Sequence, residues 1–149
     1  MLYFAYGSNL NHRQMKDRCS GSNYIKKHIL KGYKLIFSQR NPNNKYGHAN
    51  IEKNKNSSVQ GAIWQLSKEH EKTLDEYEAV NYNPPYYYKE YLLWKKKKVL
   101  FYIKKVYTEK KPSSIYLHTI INGYKDCNLN INFLKKTVKN YSVNYNINW

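Results

Sequence analysis

Two short stretches of this chain combine residue types and spacing that can do chemistry. The first is Tyr6-Gly7-Ser8-Asn9-Leu10. It follows the apolar run Leu2 to Ala5, which reads as a short buried strand. Gly7 lets the backbone turn sharply and a ligand approach closely. Successive N–H groups in such a turn can form an anion-binding nest, and Ser8 and Asn9 add side-chain donors. A helix is expected from about His12 to Arg18, capped by Asn11. Taken alone, the stretch is also an ordinary strand-to-helix turn. Ser8 is not read as a nucleophile. A serine elbow has a glycine two residues to either side, where this chain has Tyr6 and Leu10.

The second stretch is Leu74-Asp75-Glu76-Tyr77-Glu78-Ala79-Val80. The chain has only ten acidic residues, and several fall here. Ser67 reads as a helix N-cap, with the helix running to about Glu78. Asp75 and Glu76 read as solvated charges that offset nearby lysines. Glu78 lies four residues after Leu74, on the same side of the helix as that apolar residue. A carboxylate there is partly desolvated, and its pKa rises toward that of a usable base. A plain solvated face is the competing reading for Glu78.

The elements that must position these groups alternate along the chain. Lys34 to Phe37, Ala49 to Ile51 and Val59 to Leu66 read as strands. The polar stretches Asn41 to Lys45 and Asn54 to Ser58 read as loops. Asn81 to Pro85 ends the Ser67 helix. Tyr87 to Trp94 and Val99 to Val106 read as strands joined by Lys95 to Lys98. That lysine run is a solvated hairpin tip that also blunts a sheet edge; a polyanion site is the other reading. Pro112-Ser113-Ser114 opens a helix to about Tyr124, and Asn130 or Asn132 caps another to about Tyr141. No repeat or linker is visible. The expectation is one α+β domain over residues 1–149, a curved, mixed, barrel-like sheet surrounded by a few helices.

Composition sets bounds. The chain of 149 residues suits one domain that buries a core without staples. Cys19 and Cys127 are its two cysteines, so no disulfide framework is expected. Met1 to Gly7 lacks the basic leader of a signal peptide, and no apolar run approaches a membrane span of roughly 20 residues. A cytoplasmic protein is expected, without a membrane partner.

The formal charge of +16 invites a nucleic-acid reading. The lysines are scattered, however, and Lys, Asn, Tyr and Ile are over-used together. A shared codon bias accounts for that better than a binding face, so no specific nucleic-acid partner is expected. His12, His28, His48, His70 and His118 show no ligand spacing among themselves or with the cysteines, and no metal or cofactor is expected. Seventeen tyrosines make a cavity lined with phenol donors plausible.

These residues carry a resemblance. Tyr3-Phe4-Ala5-Tyr6-Gly7-Ser8-Asn9-Leu10 resembles the opening signature of the gamma-glutamylcyclotransferase family. Ala49-Asn50-Ile51, Gly61 to Trp64, Leu74 to Glu78, Tyr87 to Lys89, Phe101 to Ile103 and Pro112 to Tyr116 fit the same family in order, over nearly the whole chain. The resemblance implies that backbone amides from Tyr6 to Leu10 hold a gamma-glutamyl group and that Glu78 is the catalytic acid/base. It implies that Tyr87, Tyr102 and Tyr116 line the pocket, with Tyr86 as the fallback for Tyr87.

The implied substrate is a small gamma-glutamyl compound, cleaved to 5-oxoproline and a free amine without metal or cofactor, by a monomer or homodimer. One departure stands out. The family usually has Gly after its glutamate, and this chain has Ala79, so the end of that helix is expected to differ slightly. A non-catalytic module holding a small ligand in the same pocket is the alternative; a basic nucleic-acid-binding domain is the third reading.

Overall fold

The computed structural model describes residues 1–149. Six strands form one mixed sheet: β1 (Leu2–Ala5), β2 (Asn23–Gln39), β3 (His48–Gln65), β4 (Tyr88–Trp94), β5 (Lys97–Ile103) and β6 (Thr108–Glu109). Their order across the sheet is β4-β5-β1-β3-β2-β6. β1 runs parallel to β5 and antiparallel to β3; the other pairs are antiparallel. The sheet curls into a half-barrel, as its composition of twisted strands demands. Four helices surround it: α1 (His12–Arg18), α2 (Lys68–Tyr77), α3 (Ser114–Asp126) and α4 (Ile131–Lys139).

The four-residue β1 is buried along its whole length. Phe4 and Ala5 have no exposure, because β1 is sandwiched between β3 and β5 inside the sheet. A central strand buried on both faces reads as a continuous apolar run, and that is the pattern of Leu2 to Ala5. It delivers the Gly7 turn to the middle of the sheet's edge of carboxyl ends. A 3-10 turn over Ser8–Leu10 then leads into α1, which Asn11 caps through Gln14 N–H.

Several expected boundaries shift. Lys34–Phe37 is the buried end of the much longer β2, and Ala49–Ile51 and Val59–Leu66 belong to a single β3. Asn54 to Ser58, expected as loop, lies inside β3, where Ser58 pairs with Lys31 and Lys53 with Tyr33, so residues 54–57 bulge opposite Gly32 at a register shift. The paired residues on either side, Lys53 and Ser58, carry the strand through this polar bulge. The lysine hairpin is tighter than expected. Lys95 and Lys96 alone make the turn, both at positive φ, and β5 begins at Lys97 and ends at Ile103. Two positive-φ residues give the turn a twist that matches the strands. No helix is long and apolar enough to cross a membrane.

Candidate active site

Fourteen residues line a cavity of about 230 Å³ at the end of β1: Tyr3, Tyr6, Gly7, Ser8, Asn9, Gln14, Arg18, His48, Ala49, Tyr77, Glu78, Tyr87, Tyr102 and Tyr116. The Gly7 turn and Glu78 therefore face one space. Of the residues read from the sequence, Tyr6, Gly7, Ser8, Asn9, Glu78, Tyr87, Tyr102 and Tyr116 meet there. Leu10 does not. Its side chain is fully buried in the core, so only its backbone belongs to the turn. Tyr86, the fallback for Tyr87, stacks outside the cavity under Arg40 and beside Tyr82.

Glu78 is the C-cap of α2, and a Schellman closure fixes it there. Val80 N–H donates to Asp75 C=O at 3.0 Å, and Ala79 N–H donates to Glu76 C=O at 3.1 Å. The following loop is tied back through Tyr87 N–H to Glu78 C=O at 3.2 Å. This closure needs a left-handed residue after the cap, and Ala79 supplies it at φ 50°. Alanine here takes the conformation that glycine favours, at a steric cost of about 1–2 kcal/mol. Glycine gives back part of that in chain entropy. Ala79→Gly is expected to stabilise the fold by about 0.5–1 kcal/mol, raising Tm by roughly 2 °C in a thermal melt.

The half-buried Glu78 carboxylate carries no ion pair; all four in the structure involve other acids. Burial pushes its pKa up to about 7, while Arg18 and then Lys104 pull the other way. The helix C-terminus, with its partial negative charge, opposes ionisation too. A carboxyl poised near neutrality holds and releases a proton with equal ease, which is the requirement for acid/base work.

The rest of the cavity is rigid. Ala49 is gripped on both sides, its N–H donating to Tyr116 Oη at 2.9 Å and its C=O accepting from Tyr87 Oη at 2.7 Å. Tyr6 Oη donates to Tyr102 C=O at 2.5 Å, and Tyr102 Oη donates to Asp75 Oδ1 at 2.7 Å. Asp75 is thus more than a solvated charge: it also pairs with Lys89 at 2.6 Å and orients Tyr102. Burial drives the phenols of Tyr3, Tyr6, Tyr87, Tyr102 and Tyr116 up, so all five stay neutral donors and acceptors.

The side chains of the turn are engaged in building it. Asn9 donates to Tyr3 Oη at 3.0 Å and accepts from Gln14 at 2.9 Å and Arg18 at 3.1 Å. Ser8 Oγ accepts from Gln14 at 2.8 Å. Within the turn the backbone bonds start at Leu10 N–H and Asn11 N–H. The N–H groups that precede them take no part in these turn bonds, as at any helical start.

Gln14, Arg18, His48, Ala49 and Tyr77 were missed from the sequence as lining residues. Gln14 and Arg18 carry a signal, being four apart on α1 and hence on one face. Tyr77 carries one too, adjoining Glu78 at the end of α2, whereas His48 and Ala49 carry none, because distant strand pairing brings them in. No group of three or more His, Cys, Asp and Glu side chains converges anywhere in the fold.

This architecture is shared with known structures. A solved structure described as gamma-glutamyl cyclotransferase superposes with a TM-score of 0.79 at 24% identity, over 99% of this chain and 91% of that one. An uncharacterized protein from Homo sapiens gives the same figures. YkqA from Bacillus subtilis matches at a TM-score of 0.75 and 18% identity, over 95% of this chain and 55% of that one. The fold is therefore that of the gamma-glutamyl cyclotransferase-like α+β proteins.

Sequence places the chain more closely. Residues 3–118 match the model of the family described as "Gamma-glutamyl cyclotransferase, AIG2-like", and the chain belongs to that family. No curated protein matches it.

Proposed function

We propose that the protein cleaves a gamma-glutamyl amide by closing the glutamyl part on itself, releasing 5-oxoproline and a free amine, with Glu78 as the acid/base. The observation that carries this reading is Glu78 itself, a desolvated carboxylate without an ion pair, facing the Gly7 turn across a cavity of about 230 Å³. A cavity of that size suits a curled glutamyl chain.

The substrate brings its own nucleophile, the α-amine. Confinement sets this amine against the γ-carbonyl, and such intramolecular placement is worth several orders of magnitude. Glu78 takes a proton from the α-ammonium, and the freed amine attacks the γ-carbon. The new C–N bond forms, the old amide C–N bond breaks, and the protons shed by the α-nitrogen pass through Glu78 to the departing nitrogen. N–H groups of the turn around Gly7 and Ser8 face the charge that develops on the oxygen. Arg18 lies flat on Tyr77 at 4.0 Å and supplies a cation complementary to the α-carboxylate. Tyr87, Tyr102 and Tyr116 form the walls.

Because the carboxylate is the working base, kcat/KM is expected to fall about tenfold per pH unit below about pH 7 and to level off above it. A flat profile between pH 5 and 8 contradicts that role. The direct test is incubation with a panel of gamma-glutamyl amino acids, amines and peptides, with 5-oxoproline followed by mass spectrometry. Formation of 5-oxoproline from any of them supports the reading. Tight binding with no product across the panel favours the non-catalytic module instead.

A further inference from the structure

One ionisable group beside the cavity has no part in this chemistry. Lys104, just beyond β5, is only 2% exposed and does not line the cavity. Its backbone is clamped like a strand residue by a side chain: Lys104 N–H donates to Asn50 Oδ1 at 2.8 Å, and Asn50 Nδ2 donates to Lys104 C=O at 3.2 Å. Its Nζ donates to Ser38 C=O at 2.5 Å and lies 5.0 Å from the centre of the Tyr87 ring. That single hydrogen bond leaves two ammonium protons without a protein partner. A buried ammonium so weakly compensated is expensive unless a nearby negative charge repays it.

The cavity offers one. Tyr87 joins the two groups physically, its ring beneath Lys104 Nζ and its backbone N–H bonded to Glu78 C=O. The other groups facing Glu78 are Tyr3 from β1, Tyr6 just after it, Arg18 from α1, Tyr102 from β5 and Tyr116 from α3. The phenols are neutral, so Arg18 and Lys104 are the two cations. Arg18 lines the cavity, whereas Lys104 is walled off from anything bound there. His48 faces Lys104 from β3.

We propose that Lys104 is a positioning residue: a buried cation behind Tyr87 that steadies the Glu78 carboxylate and the Tyr87 wall without touching substrate. Its catalytic consequence rests on the cyclotransferase reading, but the electrostatic coupling does not. The coupling runs both ways. Burial holds Lys104 down at about 8, with Glu78 opposing, and burial and then Lys104 hold His48 below the ordinary imidazole range.

The test is Lys104→Met, which keeps the apolar stem and removes the charge, alongside Lys104→Gln, which keeps a donor for Ser38 C=O. Titration is followed by NMR on the Glu78 carboxyl carbon and the His48 ring. Both groups are expected to titrate at higher pH in each variant, Glu78 by about half a unit or more. The acid limb of kcat/KM is expected to move up with Glu78. A residue that merely fills space lowers the melting temperature and leaves both titrations in place, and that result overturns the proposal.

If neither variant folds, the unmodified protein decides. Its Glu78 carboxyl carbon is expected to show a second inflection near pH 8, where Lys104 loses its proton. A single-step curve overturns the coupling. Shifted titrations in a protein that makes no 5-oxoproline defeat the cyclotransferase reading and leave the coupling standing.

Discussion

Glu78→Gln is expected to abolish turnover while making the protein more stable. The amide is close in shape to the carboxyl and still fits the C-cap of α2, but it neither takes the proton of an α-ammonium nor returns it. One group serves both halves of the transfer, so its removal is expected to lower kcat by about a thousandfold or more, with KM nearly unchanged. Single-turnover release of 5-oxoproline at near-normal rate from this variant ends the assignment of Glu78.

The stability effect has a definite sign. The folded carboxyl binds its proton with a pKa of about 7 against an ordinary 4.5. A raised carboxyl pKa favours the fold while the group is protonated, and that contribution is lost as pH rises from about 4.5 through 7. The wild-type protein therefore holds at pH 8 a desolvated charge that Arg18 and Lys104 offset only in part and that glutamine lacks. The variant is expected to be more stable by about 1–3 kcal/mol at pH 8 and equal to wild type near pH 4. Thermal melts of both proteins across that range check it. An unstable variant at pH 8 shows instead that the carboxylate stabilises the cap.

Gly7→Ala is expected to damage activity from the opposite wall. A Cβ on residue 7 meets Ala49 Cβ at 2.8 Å and Tyr116 Oη at 3.4 Å. Ala49 is backbone-bonded to both Tyr116 and Tyr87, so it cannot retreat without shifting two walls of the cavity. Displacements of that kind cost about a hundredfold in rate when geometry supplies the catalysis. The fold is expected to lose about 1–3 kcal/mol through overpacking. Ala49→Gly removes the clashing methyl, so the double variant is expected to recover much of kcat/KM. No recovery means that Gly7 acts through its own backbone conformation and not through the space beside Ala49.

The order of these effects follows from how the site is made. In the proposed reaction Glu78 does the chemistry, Gly7 sets a distance, and Ala79 and Lys104 act on the conformation and charge of Glu78. Of the tyrosines lining the cavity, Tyr102 is the one whose hydroxyl is committed to a carboxylate, Asp75, which also pairs with Lys89. The acids of α2 thus divide by direction: Asp75 toward the sheet, Glu78 into the cavity, Glu76 outward into solvent.

Residue type and local spacing by themselves determined the N-terminal strand, the glycine turn after it, the capped helix leading to Glu78 and the hairpin carrying the lysine run. These features depend on neighbours a few residues apart, so a turn, a cap or an apolar periodicity makes them visible. Spacing also put Glu78 on the apolar side of its helix, though it left open whether that side was dry.

Only the tertiary structure decided what each element faces. It joined the segments on either side of residues 54–57 into one long strand through their pairing with β2, and it brought His48 and Ala49 to the Gly7 turn across the sheet. It turned Leu10 into the core and let Ala79 adopt a left-handed conformation held by the Schellman closure. It also hid Lys104 behind Tyr87. Burial and pairing depend on residues tens of positions apart, and no local pattern encodes the low-dielectric surroundings that raise the pKa of Glu78, one glutamate out of seven.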